Sequence, residues 1–208
     1  MFISFEGIDG SGKSTQAELL ADRLREEGHE VVAVREPGGT ALGERIRALL
    51  LDGPPMSAWA EAALFAAARA ELVDEIVGPA LARGTDVVCD RYVDSSLVYQ
   101  GVARGLGIGE VYDLNVAATG GLLPARTFVL LLDPDAARAR LTGTPDRIER
   151  EDESFVRRLD EGYRQVVSMF PERCVALDAE RPVDEIAEEV RAELARSDTR
   201  AVRGQATA

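Results

Sequence analysis

The sequence predicts an α/β fold of three layers, in which a five-stranded parallel sheet lies between two layers of helices. Short apolar segments alternate along the chain with longer segments whose apolar residues recur at helical spacing. This alternation is typical of parallel sheets, because a strand needs a crossover, usually a helix, before the next parallel strand begins. A glycine-rich loop also connects the first strand-like segment directly to the first helical one.

The predicted strands are short segments rich in Val, Ile, Leu and Phe. They lie at residues 2–5, 31–34, 86–90, 127–132 and 174–177. The third strand ends in the carboxylate of Asp90, and the fourth, which is the most apolar, is ended by Asp133 and Pro134. Because the carboxyl ends of parallel strands share one edge of the sheet, we expect ligands to bind at the loops that follow them.

The predicted helices are longer segments with apolar residues at a helical period. They lie at residues 13–27, 41–51, 58–81, 94–102, 109–119, 134–140, 153–170 and 183–194. Gly28 is a suitable stop for the first helix, and residues 52–55 break the chain between the second and the third. Residues 141–151 are polar without a hydrophobic period, and residues 197–208 are predicted to form a disordered tail after a single domain at 1–196.

The charge of the chain limits its partners. Its 208 residues carry a formal net charge of −13, which disfavours general binding to nucleic acid or to an anionic membrane. No apolar run approaches the ~18 residues of a membrane span, and the first residues do not resemble a signal peptide. Cys89 and Cys174 both lie in apolar runs and are expected to be reduced core thiols, so we predict a cytoplasmic protein.

The loop after the first strand has the spacing of a phosphate-binding P-loop. Gly7, Gly12, Lys13 and Ser14 satisfy the pattern G-x-x-x-x-G-K-[ST] between a predicted strand and a predicted helix. Glycines let backbone N–H groups point at phosphate oxygens, and the helix N-terminus adds a partial positive charge. We therefore predict a P-loop fold that binds ATP through Gly7, Ile8, Asp9, Gly10, Ser11, Gly12, Lys13, Ser14 and Thr15.

Lysine usage supports this interpretation. Of the 24 basic residues, only Lys13 is a lysine, so the surface of this protein carries its positive charge as arginine. A compact ammonium suits the β- and γ-phosphates better than a guanidinium fork does. The hydroxyl of Ser14 is expected to coordinate the Mg²⁺ that accompanies ATP.

Four further motifs follow the P-loop in order. They are Arg35-Glu36-Pro37-Gly38-Gly39-Thr40, Asp90-Arg91-Tyr92-Val93-Asp94-Ser95-Ser96, Asp146-Arg147-Ile148-Glu149 and Glu161-Gly162-Tyr163. Together with the P-loop they resemble the bacterial thymidylate kinases over about residues 1–195. The resemblance implies a homodimeric enzyme that transfers a phosphoryl group from ATP to dTMP, giving ADP and dTDP with Mg²⁺ as cofactor.

The resemblance also implies contacts to the acceptor nucleotide. Asp9 would accept a hydrogen bond from the sugar 3′-hydroxyl, and Arg35 and Arg91 would hold the acceptor phosphate, which guanidinium forks suit. Lys13, Arg91, Arg147 and Asp9 form the implied catalytic set. Two simpler interpretations stay open, in which Asp9 only forms a turn and Arg91 only pairs with Asp90 or another acid.

A base pocket is implied by five residues. Phe65 and Arg69 lie four apart on one predicted helix face, where Phe65 would stack on thymine and Arg69 would bond its O4. Ser96, Tyr99 and Gln100 would line the same pocket, with Tyr99 crowding a 2′-hydroxyl. Core packing of Phe65 and of Tyr99 is the alternative, although a guanidinium at position 69 argues against a core face.

The metal site and the lid are implied by the resemblance as well. Asp90 would organise Mg²⁺ together with Ser14, unless it only caps a helix. Residues 141–151 would form a lid over ATP that carries Arg147, with Arg140 and Arg150 flanking it or lying on a solvated face. Thr142 occupies a position where the family pattern has a basic residue, which leaves open which lid arginine reaches the transferred phosphate.

Two other functions remain compatible with parts of this pattern. One is a kinase for another nucleotide or for a deoxynucleoside, because one scaffold serves many substrates. A deoxynucleoside kinase would not need Arg35 and Arg91 around an acceptor phosphate. The other is a regulatory protein that uses ATP as a switch, which would not need a complete acceptor pocket.

Overall fold

A five-stranded parallel sheet forms the centre of the molecule, as the sequence predicts. The computed structural model describes residues 1–142 and 145–205, and its side chains as far as residue 196. The strands are β1 (Phe2–Glu6), β2 (Val31–Arg35), β3 (Asp86–Asp90), β4 (Arg126–Leu131) and β5 (Cys174–Asp178). Their order across the sheet is β2-β3-β1-β4-β5, so the first strand is central.

The central position of β1 explains its composition. It pairs with β3, where Phe5 lies opposite Asp90, and with β4, where Phe5 lies opposite Phe128. All five of its residues are buried, and the rings of Phe5 and Phe128 stack with their centroids 5.4 Å apart. Apolar residues therefore occupy both faces of the strand, as expected where helices cover both sides of a parallel sheet.

The helices connect the strands and form the two outer layers. They are α1 (Lys13–Glu26), α2 (Ala41–Asp52), α3 (Ala58–Leu72), α4 (Gly78–Ala82), α5 (Val93–Ser96), α6 (Ile108–Thr119), α7 (Pro134–Arg140), α8 (Glu153–Met169) and α9 (Val183–Gln205). Helix α1 packs against α9, whereas α3, α6 and α8 pack around the segment Leu97–Ala103. Helices α1, α2 and α5 follow the carboxyl ends of β1, β2 and β3, respectively.

Two predicted helices contain π-helical turns that the sequence pattern did not indicate. The helix predicted at 58–81 is divided by the π-helical segment Val73–Val77, and the helix predicted at 94–102 continues from α5 as the π-helical segment Leu97–Ala103. In the first case Pro79 follows, which has no N–H to donate and crowds the carbonyl of the preceding turn. The wider π-helical turn accommodates the proline ring.

The last helix is longer than predicted. The sequence suggested an end near Leu194, but α9 continues to Gln205, because no glycine or proline interrupts the segment before Gly204. The disordered tail predicted for 197–208 is therefore not confirmed over its helical part, and residues 206–208 lie outside the described residues. Within the described part of the chain, no helix is both long enough and apolar enough to cross a membrane.

Candidate active site

The loops after β1, β2 and β3 surround one cavity of about 240 Å³. This position is the one expected for ligands in a parallel sheet. The cavity is shared by residues that the sequence assigned to ATP, to the acceptor and to the metal. Those that line it are Asp9, Lys13, Ser14, Arg35, Phe65, Asp90, Arg91, Ser96, Tyr99 and Gln100.

The P-loop has the backbone shape that phosphate binding needs. Gly7 has φ 143° and Gly10 has φ 84°, and a Cβ at either position would lie 2.6 Å or 2.5 Å from the carbonyl oxygen of Leu130 or Ala137, respectively. Only glycine fits there. Among the described residues no side chain caps α1, so its first N–H groups are available to an anion. Ile8 and Ser11 are buried, whereas Ser14 and Thr15 are exposed.

Lys13, Asp9 and Arg91 form a compact charged group at the cavity wall. Asp9 accepts a hydrogen bond from Nζ of Lys13 at 3.0 Å and one from Nη2 of Arg91 at 2.6 Å. Burial by itself would raise the pKa of Asp9, but the charges of Arg91 and Lys13 outweigh it and lower that pKa. Burial and then the charge of Arg91 lower the pKa of Lys13. Asp9 is therefore ionised and holds two cations side by side.

Arg91 is fixed by four hydrogen bonds. Besides Asp9, it donates from Nη1 to Ser95 Oγ and to Tyr163 Oη, both at 3.0 Å, and from Nη2 to Tyr99 Oη at 3.3 Å. Its φ of 70° lies in the left-handed region, which residues with side chains rarely adopt. The acid that pairs with Arg91 is Asp9 and not Asp90, so the alternative of a pair with another acid describes this conformation.

Asp90 and Ser14 meet at the floor of the cavity. The Ser14 hydroxyl donates a hydrogen bond to Oδ2 of Asp90, while Oδ1 of Asp90 is buried with no hydrogen-bond partner among the described residues. The residue at the N-cap position of α5 is Tyr92, so the interpretation of Asp90 as a helix cap is wrong. One hydroxyl and one carboxylate with a free oxygen are suitable ligands for a hard cation.

Arg35 lies at the outer rim of the cavity. Its side chain donates to both oxygens of Glu44 at 3.2 and 3.3 Å and to the Pro37 carbonyl at 3.2 Å. About half of the side chain is exposed, which leaves it free to exchange an exposed ion pair for a phosphate at little cost. The loop between Arg35 and α2 is closed by Gly39, whose N–H donates to Glu44 at 2.8 Å.

The predicted base pocket is partly assembled as expected. Phe65 is half-buried and faces the cavity, while Ser96, Tyr99 and Gln100 are buried in its wall. The Tyr99 hydroxyl lies 3.4 Å from Asp9, so this tyrosine joins the base pocket to the P-loop. Gln100 donates to Glu61 at 3.0 Å, which orients its amide.

Arg69 differs from the expectation. It does not line the cavity and is only 1% exposed, so the argument that a guanidinium marks a non-core face is wrong here. It donates four hydrogen bonds within the described residues, from Nε to Glu36, from Nη1 to Ser96 and Asn115, and from Nη2 to the Tyr92 carbonyl. Its Nη2 also forms an ion pair with Glu36 at 2.6 Å. A contact from Arg69 to a base would require one of these bonds to be exchanged.

Arg147 also lies away from the phosphate site. Its Nε donates to the Leu50 carbonyl at 2.7 Å, and its Nη2 pairs with Glu61 at 2.8 Å. Glu61 is 1% exposed and also binds Arg104, which in turn binds Glu151. The buried charge of Glu61 therefore attracts the arginine that the sequence assigned to catalysis.

Two further arginines, one in the predicted lid and one beside it, donate to backbone carbonyls. Arg140 donates to the Ala179 carbonyl at 3.2 and 3.3 Å, and Arg150 donates to the Pro145 carbonyl at 2.9 Å. Both residues and Thr142 are exposed, and neither arginine lines the cavity formed by the described residues. Gly143 and Thr144, which belong to the predicted lid, lie outside the described residues.

Sequence reasoning missed two buried acids of this region, Glu6 and Glu61. Glu6 ends β1 and receives hydrogen bonds from the turn that carries Arg91. Its position in the motif before the P-loop was a signal, but nothing in the local pattern showed which residues it meets. Glu61 stands in an alanine-rich helix, where a single acid looks like an ordinary surface residue.

Comparisons with known proteins identify relatives of this chain. A sequence profile described as thymidylate kinase matches residues 5–190. A thymidylate kinase of Symbiobacterium thermophilum is 50% identical over 194 residues, covering 92% of this chain and 91% of that protein. One of Deinococcus radiodurans is 46% identical over 193 residues, covering 91% of this chain and 94% of that protein.

A solved structure gives the same result for the fold. The crystal structure of thymidylate kinase from Ehrlichia chaffeensis superposes with a TM-score of 0.78 at 34% identity. The match covers 93% of this chain and 98% of that one. With its P-loop, its parallel sheet and these relatives, the chain belongs to the thymidylate kinase family, a family of phosphotransferases.

Proposed function

We propose that this chain transfers the γ-phosphoryl group of ATP to dTMP, giving ADP and dTDP for the synthesis of dTTP. The observation that carries the proposal is the charged group at the cavity wall. Asp9 holds Lys13 of the P-loop and Arg91 of the β3 loop beside each other, at 3.0 and 2.6 Å. A donor phosphate bound at Lys13 and an acceptor phosphate bound at Arg91 would then face each other.

The reaction needs positioning and charge, without a side-chain nucleophile. A phosphate oxygen of dTMP forms a bond to the γ-phosphorus while the bond from that phosphorus to the bridging oxygen breaks, and ADP leaves. Lys13 and Arg91 offset the repulsion between the two anionic nucleotides and stabilise the charge that develops in the transition state. Asp9 orients both cations, and its other oxygen, which lies 3.4 Å from the Tyr99 hydroxyl, would accept from the sugar 3′-hydroxyl.

The acceptor pocket favours a deoxynucleotide. Phe65 offers a flat apolar surface for a base, and Tyr99 stands against Arg91 with the guanidinium carbon 5.2 Å from its ring centre. In this proposal the acceptor sugar lies beside the Tyr99 ring, which would crowd a 2′-hydroxyl. Arg35 at the rim would complete the binding of the acceptor phosphate.

The residues present fit a magnesium ion. The Ser14 hydroxyl and the partner-free oxygen of Asp90 supply two oxygen ligands, and Mg²⁺ normally takes its other ligands from substrate phosphates and water. No cluster of three or more His, Cys, Asp or Glu with metal-binding geometry occurs in the described part of the chain, which fits a metal that arrives with ATP. When bound, Mg²⁺ would neutralise phosphate charge.

We include a movement of Arg147 in this proposal. Its Glu61 pair is buried in the described conformation, and an arginine serving the transferred phosphate would have to leave Glu61 when ATP binds. Because Thr142 stands where the family pattern has a basic residue, Arg147 is proposed for this role and Arg150 is the alternative. Closure over ATP would exclude water, so that the phosphoryl group goes to the nucleotide.

We also propose that the enzyme is a cytoplasmic homodimer. Helices α2 and α3 pack together and expose Leu42, Leu49 and Trp59, of which Trp59 is 50% exposed. In this proposal a second copy of the chain covers these side chains. Both thiols are free and buried, as expected in a reducing compartment. Sedimentation should give the mass of two chains, and a monomer would contradict the dimer.

The test of the function separates an enzyme from an ATP-dependent switch. ADP formation from ATP and Mg²⁺ is followed with and without dTMP, and thin-layer chromatography identifies dTDP as the second product. We expect ADP and dTDP in equal amounts, and only when dTMP is present. ADP formed at the same rate without an acceptor would reject the transferase and support the switch.

A further inference from the structure

A buried acid outside the predicted catalytic set controls the environment of Arg91. Glu6, the last residue of β1, is fully buried beneath the cavity. Each of its two carboxylate oxygens accepts two hydrogen bonds. All four donors belong either to the turn after Arg91 or to Tyr163 of α8.

One oxygen of Glu6 holds the backbone of that turn. Its Oε1 accepts from the N–H of Tyr92 at 2.7 Å and from the N–H of Ser95 at 3.2 Å. Arg91 immediately precedes these residues and has φ 70°, a conformation that is unfavourable for a residue with a side chain. The two bonds to Glu6 therefore stabilise the unusual turn that directs Arg91 into the cavity.

The other oxygen of Glu6 acts through two hydroxyls. Its Oε2 accepts from Ser95 Oγ at 2.5 Å and from Tyr163 Oη at 3.3 Å. Each of these hydroxyls accepts from Nη1 of Arg91 at 3.0 Å. Because their protons point to Glu6, their lone pairs point to Arg91, and both N–H groups of Nη1 are occupied. Nη2 lies on the side of the cavity, where it donates to Asp9 and to Tyr99.

We propose that Glu6 is a positioning residue, which orients Arg91 for the acceptor phosphate through the turn Tyr92–Ser95 and through the hydroxyls of Ser95 and Tyr163. The proposal rests on the proposed function, in which Arg91 binds the phosphate of dTMP. Glu6 itself does not touch a substrate. Its effect should therefore appear in the use of dTMP and not in the binding of ATP.

The variant Glu6→Gln tests this directly. A glutamine keeps the shape and can still accept from the two backbone N–H groups, but its NH₂ group cannot accept the protons of Ser95 and Tyr163. The hydroxyls must turn, and Arg91 loses its alignment. We expect KM for dTMP to rise on the order of tenfold, with a lower kcat and KM for ATP within about twofold of wild type.

Asp86→Asn is the matched control. Asp86 is a buried acid at the opposite end of β3, bound to the N-terminus and to His29, so its loss should lower the melting temperature without changing KM for dTMP. Glu6→Gln with wild-type KM and kcat would overturn the proposal, and so would an equal effect of Asp86→Asn on KM for dTMP. A wild-type enzyme inactive with dTMP would overturn both the positioning role and the proposed function.

A second set of variants keeps the test decisive if Glu6→Gln does not fold. Tyr163→Phe and Ser95→Ala each remove one hydroxyl between Glu6 and Arg91, and each should raise KM for dTMP. Where Glu6→Gln does fold, it is also combined with Tyr163→Phe in a double-mutant cycle, and Tyr163→Phe should then add almost nothing, because both changes break the same connection. Additive effects, or folded single variants with wild-type KM, would overturn the proposal.

Discussion

The replacement Arg69→Met should destabilise the protein strongly, because Arg69 is a buried structural cation. Its side chain is 1% exposed and its partner Glu36 is 3% exposed. Methionine fills a similar volume with a flexible apolar chain, so the main effect is to leave the carboxylate of Glu36 buried without its counter-charge. Breaking a buried ion pair in this way costs about 3–5 kcal/mol.

The size of the effect follows from the length of the chain. A domain of 150–250 residues loses roughly 2–4 °C of melting temperature per kcal/mol. Arg69→Met should therefore melt roughly 6–20 °C below wild type, as measured by circular dichroism. In Glu36→Gln/Arg69→Met the stranded charge is gone, and at least half of the loss should be recovered.

The loss should also depend on pH. Burial raises the pKa of Glu36 even with Arg69 present, and without Arg69 this carboxyl favours its protonated form more strongly. The folded variant then holds a proton that the unfolded chain releases, so its stability falls as pH rises. The deficit should be smaller at about pH 5 than at about pH 8. A variant that melts within about 2 °C of wild type but has lost activity would refute this reasoning and return Arg69 to a base contact.

Three further predictions concern single residues. Lys13→Ala should reduce turnover by at least about a hundredfold. The variant should keep a wild-type circular dichroism spectrum, because Arg91 still neutralises Asp9, and an unfolded spectrum would contradict the prediction. Burial, and then the charge of Asp94, raises the pKa of Glu6 from its ordinary value of 4.5 to about 7. The free energy of unfolding, measured in denaturant, should therefore fall as the pH rises from about 4.5 to about 7. In Glu6→Gln the free energy of unfolding should change less over this pH range, and an unchanged slope would contradict the prediction. Arg147→Met should lower kcat on the order of tenfold or more while the exposed control Arg150→Met stays near wild type; equal rates would show that Arg147 is not used.

Much of the fold could be predicted from the sequence because its signals are local. Apolar runs located all five strands to within one residue, and the spacing of Gly7, Gly12 and Lys13 placed the P-loop. Strand order could not be predicted, since the pairing of β1 with both β3 and β4 depends on contacts far apart along the chain. The π-helical segment before Pro79 could not be predicted either, because its apolar spacing resembles that of an α-helix.

The site was predicted less completely, for a physical reason. Most of the residues that the family resemblance implied lie around one cavity, but the resemblance could not show how buried charges pair. Arg69 meets Glu36, 33 residues earlier, and Arg147 meets Glu61, so both arginines lie where a buried acid attracts them. Glu6 shows the same limit, since its partner Tyr163 is 157 residues away.

The central claim, that the acceptor is dTMP, is tested most directly by comparing acceptors. ADP release from ATP and Mg²⁺ is measured with dTMP, dUMP, dCMP, dGMP, UMP and thymidine at equal concentration. We predict a strong preference for dTMP and little turnover of thymidine, because Arg91 and Arg35 need an acceptor phosphate and Phe65 needs the base. Preference for another nucleotide, or fast turnover of thymidine, would contradict the assignment of the acceptor pocket, whereas the P-loop and the family membership would stand.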